Sequence, residues 1–352
     1  MLLPTTATAV LVALIISLIG WGSWASLFKM AKKARFELFY YDFNWGALAA
    51  AILLVFTLGM WDQKELTFQD NFILTGYRKI AWALGSGILL NLATVLLLAA
   101  VSVSGMTVTF PIAFSIAWAI AAGWQYFAQP GVNPLLAFGG AGVTLLAGLL
   151  AVIAYRWHRA GIALSAETAL RADPRVKATA PPKTGTVGII LASVAGVFYS
   201  LFFPVLGEAM FGDNGLASYG AVLLAVIGLF ASSVMIVPFF LNFPVQGGPL
   251  EVRRYFKMPL MHHLLGVLAG VVFVGGLLSG LVILGIPPAI QISPVISFLL
   301  SHSGPLVAAL WGLLIWREFA GAPTRVTMML AAMFVMLLAG LGIIAVAPGF
   351  GK

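Results

Sequence analysis

The residues most able to do chemistry in this sequence lie in one apolar stretch, residues 285–319. His302 stands near its middle between Ser301 and Ser303, and an imidazole takes up and releases protons near neutral pH. In a membrane such a side chain is costly and usually functional, so we predict that His302 carries a proton. A second interpretation, of equal weight, is a neutral imidazole that bonds a backbone carbonyl freed by Pro305 or a neighbouring proline.

The same stretch offers further polar groups. Ser293, Ser297 and Ser301 recur every fourth residue and share one helix face. With Gln291 they provide donors and acceptors for a polar solute, or else hydrogen bonds between helices. The stretch also holds prolines at 287, 288, 294 and 305, and carbonyls freed by proline are tolerated at membrane depth only inside protein or beside a water-filled cavity. The pattern therefore predicts a bent or broken membrane helix that lines a solute path.

Other candidates lie elsewhere in the chain. Trp21 and Trp24 are three residues apart among glycines, which suits either stacking on a planar ring or packing against neighbouring helices. Asn91 lies midway along an apolar run, where its amide would bond a solute or a broken backbone. Tyr199, followed by Ser200, is predicted to complete the cavity wall.

Two carboxylates near predicted helix ends have weaker assignments. Glu208 would be a second proton site at an external gate, although an interfacial carboxylate is more often merely solvated. Glu318, next to Arg317, suits a gate or an interface pair at the opposite membrane surface. His262 and His263 are adjacent and cannot both face one metal from a helix, and no metal site or cofactor is predicted.

The elements that must position these residues are membrane helices. The chain is 61% hydrophobic and 9% charged, which indicates a polytopic membrane protein and excludes a nucleic-acid binder. It has no cysteine, which excludes disulfides and thiolate catalysis. Apolar runs of membrane-span length recur at residues 6–28, 41–60, 80–102, 105–127, 133–155, 185–207, 216–241, 261–284, 287–316 and 325–347.

The positive charges in the loops predict the orientation. Of the 19 lysines and arginines, 15 fall in the loops between spans 1 and 2, 5 and 6, 7 and 8, and 9 and 10, which leaves 4 for the other side. The positive-inside rule then places both termini outside. The charges follow the first run and do not precede it, which favours a membrane helix over a signal peptide.

The polar stretch 157–184 divides the ten spans into five and five. We predict a first repeat at 1–156, a cytoplasmic linker at 157–184 and a second repeat at 185–352. An odd number of spans in each half requires that related halves be inverted in the membrane. Gly87 and Pro111 match Gly270 and Pro294 in spacing, and each pair is predicted to frame a helix, a tight turn and a proline-broken helix.

Several stretches carry a resemblance to a known group: LIGWGSWASLFKMAKK, YYDFNWG, FFLNFPVQGGPLEVRRYFK, HHLLGVLAG and PLVAALWGLLIWREFAGA. They resemble the ureide permease group and the glucose and rhamnose uptake porters of the drug/metabolite transporter superfamily. The resemblance implies an all-α fold of ten transmembrane helices in two inverted five-helix repeats. It also implies alternating access around a central cavity, with heterocycles such as allantoin and nucleobases, or sugars, as solutes, usually coupled to protons.

The expected function is therefore a secondary active transporter in the cell membrane, coupled to H⁺ and acting as a monomer or homodimer. An exporter of drugs or metabolites from the same superfamily is the alternative within this class. A channel would need a filter motif or rings of like groups, and an intramembrane enzyme would need a nucleophile with its base. The sequence offers neither, and no Walker-type motif suggests ATP hydrolysis.

Overall fold

The computed structural model describes residues 1–32, 34–61, 67–128, 131–172, 185–284 and 293–350. Within these ranges the chain is helical and contains no β-strand. The α-helices there are α1 (Ala7–Met30), α2 (Phe36–Thr57), α3 (Phe68–Leu74), α4 (Tyr77–Ser104), α5 (Met106–Ala128), α6 (Pro134–Ala172), α7 (Gly185–Met210), α8 (Ser218–Asn242), α9 (Leu260–Leu281), α10 (Pro294–His302), α11 (Gly304–Leu310) and α12 (Thr324–Val346). Short helical turns occupy Leu58–Met60, Val252–Lys257, Trp311–Ile315 and Ala347–Phe350.

Nine helices of the described chain are long and apolar enough to cross a membrane, and a bent pair supplies a tenth span. The pair joins Val295–His302 to Gly304–Ile315 at an angle of 42°. The break falls at Ser303, two residues before Pro305, so the predicted bend in this span is present. The beginning of the predicted span, with Pro287 and Pro288, lies outside the described residues.

One sequence prediction about these helices is wrong, and one helix is longer than its predicted span. The fourth span is not broken at Pro111, because α5 continues through it to Ala128. This proline lies in the second turn, where its ring removes one intrahelical hydrogen bond and the rest of the helix stays paired. At the fifth span, α6 continues past the predicted boundary near 155 to Ala172, so the first part of the predicted linker is helical.

The bundle has two faces, which we name by residues found on them. On the terminal face α1 begins and α12 ends. The backbone N–H of Asn133 donates there to the Ala347 carbonyl at 3.1 Å. On the Lys29 face α1 ends and α2 begins.

Close helix packing depends on glycines at a few crossing points. A Cβ on Gly20 of α1 would lie 2.6 Å from the Cα of Gly276 on α9. A Cβ on Gly270 of α9 would overlap the carbonyl oxygen of Phe43 on α2. Small residues at such contacts let backbones approach without a hydrophobic driving force, which membranes do not provide between helices.

The packing of the two halves follows one pattern. The first half contains α1, α2, α4, α5 and α6 as its spans, and the second contains α7, α8, α9, the α10–α11 pair and α12. Most of the larger contacts between halves have a counterpart when the halves are exchanged: α1 packs on α9 as α7 packs on α4, α2 on α9 as α8 on α4, and α1 on α11 as α7 on α5. Gly87 and Gly270, the predicted equivalents, each lie against the backbone of the other half. A Cβ on Gly87 would overlap the carbonyl oxygen of Ala225, and a Cβ on Gly270 would overlap that of Phe43.

The contact between α2 and α9 gives a test of this packing. Gly270→Val should lower the free energy of unfolding by about 2 kcal/mol or more, because the side chain must displace backbone of α2. Gly275→Val, on the same helix, is the control, since a Cβ there meets nothing within 4 Å. Thermal unfolding of both purified variants checks the difference, and equal stability would contradict the packing.

Candidate solute cavity

A cavity of about 110 Å³ lies between α1, α5, α7 and the bent α10–α11 pair. Its wall is mostly aromatic and apolar, with few polar groups: Trp21, Phe114, Ala117, Trp118, Ala121, Tyr199, Ser200, Phe203, Ser301, His302 and Pro305. None of these side chains carries a fixed charge. The cavity therefore offers ring faces, together with a small number of hydrogen-bonding groups.

The aromatic wall is built by side chains from both halves. The Tyr199 ring, on α7, lies 6.0 Å from Trp21 of α1 and 4.9 Å from Phe114 of α5. Phe203 stands one turn further along α7 and packs 6.5 Å from Trp21. Trp118 follows Phe114 by one turn of α5, at 6.1 Å.

A second cavity of about 260 Å³ continues the first toward the terminal face. The two share Trp118, Ala121 and His302, and the second adds residues near the outer ends of their helices: Ala122, Trp124, Gln125, Ala128, Phe298 and Ile344. The end of α5 is on the terminal face, because Tyr126 packs 5.2 Å from Phe138 at the start of α6. The combined space thus extends from the middle of the bundle to the terminal face.

His302 lies where the two cavities meet, at the last residue of α10. Its Nδ1 is 2.9 Å from the Phe298 carbonyl oxygen and 3.0 Å from Ser301 Oγ, and its ring stacks on that of Phe298 at 4.2 Å. The carbonyl can only accept, so Nδ1 carries the proton and Nε2 is left as an acceptor. The imidazole therefore bonds a backbone carbonyl and also lines the cavity, while its role as a proton carrier stays a prediction. That carbonyl belongs to Phe298 and is not the one freed by Pro305.

The hydroxyl groups of the wall are mainly used within the protein. Tyr199 Oη is 3.2 Å from Thr94 Oγ1, and Ser200 Oγ donates to the Val197 carbonyl at 2.6 Å. Ser301 Oγ donates to the carbonyl of Ser297 at 2.8 Å. The Nε2 of His302 and the indole N–H groups of Trp21 and Trp118 are consequently the wall groups left to meet a solute.

Trp24 and Asn91 lie outside the cavity walls. Trp24 is fully buried one turn beyond Trp21, where it packs on Phe43, Phe110 and Phe273. Its Nε1 has no hydrogen-bond partner in the described part of the chain. The geometry supports the packing interpretation of Trp24 for this conformation.

Both polar atoms of the Asn91 side-chain amide are hydrogen-bonded to other helices. Tyr40 Oη donates to its Oδ1 at 2.8 Å, and its Nδ2 donates to Ser232 Oγ at 2.8 Å. Asn91 has no exposed surface and lines neither cavity, and its side-chain amide makes no hydrogen bond to α5 in the described chain. Its partners come from α2 and α8, and together they join three helices.

The remaining predicted residues are also apart from the cavity. Glu208 is exposed near the end of α7, and its backbone carbonyl accepts from Lys79 Nζ at 2.7 Å. Ser297 is half-buried on α10 and does not line either cavity. Gln291 lies outside the described residues.

On the Lys29 face the Glu318 carboxylate binds groups from two helices of the other half. Glu318 accepts from the backbone amides of Met106 and Thr107 at 2.9 and 2.8 Å, and from Thr107 Oγ1 at 2.8 Å. Lys29 Nζ completes the set at 2.9 Å. The Glu318 side chain is 12% exposed. We call this group the Glu318 latch.

The latch joins the two halves at the start of α5. Carboxylates are favoured at a helix N-terminus, where backbone amides lack intrahelical partners. Gly105, between α4 and α5, has φ = 81°, and a Cβ there would lie 2.6 Å from the Glu318 carboxylate. Two indoles extend the closure: Trp311 Nε1 donates to Ser23 at 3.0 Å and Trp316 Nε1 to Ser26 at 2.9 Å.

Sequence reasoning missed part of this arrangement. Phe110, Phe114 and Trp118 are spaced by four residues along α5, and this stripe of rings was the available signal for a second cavity wall. The Glu318 latch was anticipated only as a gate or pair, without its partners. No cluster of three metal-ligating side chains occurs in the part of the chain that the structure describes.

Comparison with known proteins identifies two relatives from Arabidopsis thaliana. The chain is 23% identical to Ureide permease 2. The gapped alignment has 403 positions and covers 96% of this chain and 97% of the relative. It is 21% identical to Ureide permease 1 over 394 residues, with the same coverage. No protein-family model matches the chain, and no solved structure matches it significantly.

These matches agree with the resemblance inferred from the sequence. Both relatives are named permeases, which are transporters and not enzymes. Together with the long apolar helices, they support a multi-pass integral membrane protein.

Cysteine chemistry can test where the cavity opens, because the chain has no native cysteine. Ser200→Cys should react with a membrane-impermeant methanethiosulfonate added to the terminal face, since Ser200 lines the cavity. Ser233→Cys is the control: Ser200 and Ser233 are each 5% exposed, but Ser233 lies on α8, away from both cavities. Mass spectrometry of the labelled protein checks the result, and equal labelling of the two cysteines would contradict an open cavity.

Proposed function

We propose that this protein is a secondary active transporter that moves a small, flat, polar solute across the cell membrane by alternating access. The observation that carries the proposal is the asymmetry of the path. A cavity reaches the terminal face, while on the Lys29 face the Glu318 latch joins the two halves. A channel would be continuous in its conducting state, whereas a carrier closes one side while the other is open.

The chemistry of the cavity favours a heterocycle over a sugar. Trp21, Phe114 and Trp118 present ring faces on which a flat ring can stack. A sugar would need a partner for each hydroxyl, and most polar groups of the wall are bonded within the protein. His302 Nε2 can accept from a ring N–H. A ureide such as allantoin, or a nucleobase, has this form, and the relatives are named ureide permeases.

The proposed mechanism uses two inverted five-helix repeats. The exchange of contacts between halves supports this relation, and so do the equivalent positions of Gly87 and Gly270 at backbone crossings. In such a transporter the two halves rock about a site near mid-membrane. The cavity lies between halves, with α1 and α5 on one side and α7 and α10 on the other.

The charge distribution supports uptake as the direction. If the 15 positive residues of the predicted cytoplasmic loops are inside, then the Lys29 face is cytoplasmic and the cavity faces outward. A solute would enter from outside and leave when the Glu318 latch opens. An exporter of the same superfamily would use the same geometry in reverse.

We propose His302 as the coupling group, because it is the one titratable side chain other than a tyrosine in the described cavity walls. A proton entering from the terminal face reaches Nε2 while Nδ1 remains bonded to Phe298. The imidazolium then donates from Nε2 and no longer accepts, so the bound proton changes which edge of a solute it holds.

Transport in proteoliposomes tests both parts of this proposal. The wild-type protein should exchange radiolabelled allantoin against internal allantoin and should concentrate it when a proton gradient is applied. His302→Gln should lose concentrative uptake and keep exchange within about threefold, because glutamine retains a hydrogen bond but takes up no proton. His262→Gln, outside the cavity, should retain both activities.

Three results would contradict the proposal in different ways. Unchanged gradient-driven uptake in His302→Gln would remove this residue from coupling. Equal loss of uptake and exchange in a folded variant would make it a solute contact instead. Competition by glucose or rhamnose, with none by allantoin or nucleobases, would overturn the solute class.

A further inference from the structure

A second titratable cluster lies on the Lys29 face, away from the cavity. The carboxylate of Asp42, on α2, accepts from Tyr255 Oη at 2.6 Å. Nδ1 of His263, on α9, lies 2.9 Å from Asp42 Oδ2 and 3.1 Å from Oδ1. The Asp42 side chain is 5% exposed and that of His263 is 23% exposed. We call these three residues the Asp42 cluster.

Three distant parts of the sequence meet in this cluster. Asp42 lies in YYDFNWG, Tyr255 in FFLNFPVQGGPLEVRRYFK and His263 in HHLLGVLAG. The turn Val252–Lys257 carries Tyr255 between α8 and α9, and this brings the phenol over the start of α2. The cluster therefore joins one residue of the first half to two of the second.

The hydrogen bonds determine where the cluster can take up a proton. Burial, and then the bond with Asp42, raise the pKa of the Tyr255 phenol, so Tyr255 stays protonated and donates. His263 donates its Nδ1 proton to Asp42, which leaves Nε2 as the atom that can bind another. A proton at Nε2 turns the hydrogen bond between a neutral imidazole and the carboxylate into an ion pair between imidazolium and carboxylate.

The other ionisable groups nearby do not replace His263. On α2, Arg35 pairs with Glu37 at 2.7 Å, and the ring of Tyr41 packs 5.6 Å from that of Tyr255. His262, beside His263 on α9, is half-buried and points along a different direction of the helix. The charged residues on and next to the Val252–Lys257 turn are all exposed: Glu251, Arg253, Arg254 and Lys257. The imidazole of His263 is thus the cation available to the Asp42 carboxylate among its described contacts.

A short chain of contacts connects the cluster to the Glu318 latch. Gly266 of α9 packs against both Asp42 and the carbonyl of Phe39, one turn earlier on α2. The Phe39 ring packs edge-on against Phe28 of α1, at 5.3 Å. The next residue is Lys29, whose ammonium group binds Glu318. A change in the contact between α2 and α9 therefore acts on the end of α1 that forms the latch.

We propose that the Asp42 cluster is a proton-binding site that responds to pH on the Lys29 face and keeps this face closed when protonated. The added charge strengthens a contact between α2 and α9, which belong to different halves. This proton differs from the one at His302, which enters from the terminal face. The inference rests on the proposed function, because it requires that the Lys29 face open during transport.

The test measures opening without any solute. A single cysteine replaces Ser26, which is 5% exposed and bonded to Trp316 in the closed face. A membrane-impermeant methanethiosulfonate is added to the Lys29 face at about pH 8 and about pH 5.5, on either side of the usual imidazole range. Rates are divided by those of Ala320→Cys, an exposed position, because thiols themselves react more slowly at low pH.

We expect the normalised rate at Ser26→Cys to be about tenfold lower at the lower pH, as one charge-assisted hydrogen bond would give. Asp42→Asn or His263→Gln should bring this ratio close to one, while His262→Gln should leave it intact. His263→Gln decides the matter if Asp42→Asn does not fold, since His263 is the more exposed partner.

Each contrary outcome has a distinct meaning. A tenfold ratio that persists in folded Asp42→Asn and His263→Gln variants would overturn the proton site and leave the proposed function standing. A cysteine at Ser26 that reacts at neither pH would show that the Lys29 face does not open, and would overturn both. A normal pH ratio in a protein that does not carry allantoin would overturn the solute assignment alone.

Discussion

A buried carboxylate in an apolar bundle needs donors, and the closed side of this protein is organised around one such group. Glu318 receives two backbone amides, a hydroxyl and an ammonium group, which come from α1 and α5 of the opposite half. Removing one partner of a buried charge typically costs about 3 to 5 kcal/mol. The latch is therefore strong as a set, yet it consists of contacts that water can replace once the halves separate.

The requirement that polar groups in an apolar bundle find hydrogen-bond partners also explains the rest of the proposed solute path. Above the latch, Trp24 and Phe110 form an aromatic layer with Phe43 and Phe273. The cavity follows, with Trp21 and Trp118 at its wall and His302 where it widens toward the terminal face. Polar groups that are not needed for solute, such as Asn91, are bonded between helices and so hold the frame in place.

The sequence was sufficient for the spans, because hydrophobic length and proline are local signals. It predicted the bend near His302, which the α10–α11 junction shows, but it overestimated the effect of Pro111 in the second turn of α5. The solute site was harder to predict from the sequence. His302, Trp21, Tyr199 and Ser200 share one cavity as expected, whereas Trp24 is only one turn from Trp21 and lies in the packed layer below.

The missing information concerns partners from distant helices. Whether an amide such as Asn91 meets a solute depends on Tyr40 and Ser232, whose approach no local pattern reveals. Glu318 could be recognised as a probable pairing residue, but its bonds to the start of α5 depend on the fold. The Asp42 cluster likewise assembles from three segments that are far apart in sequence.

The central claim is that the two faces open alternately, and double electron–electron resonance measures this most directly. Spin labels at Phe127 and Ile296 report the terminal face, and labels at Lys32 and Ala320 report the latch, at positions that are all exposed in a chain without cysteine. Adding allantoin under a proton gradient should shorten the first distance and lengthen the second in the same preparation. Distances that both stay fixed, or that change in the same direction, would contradict alternating access in this protein.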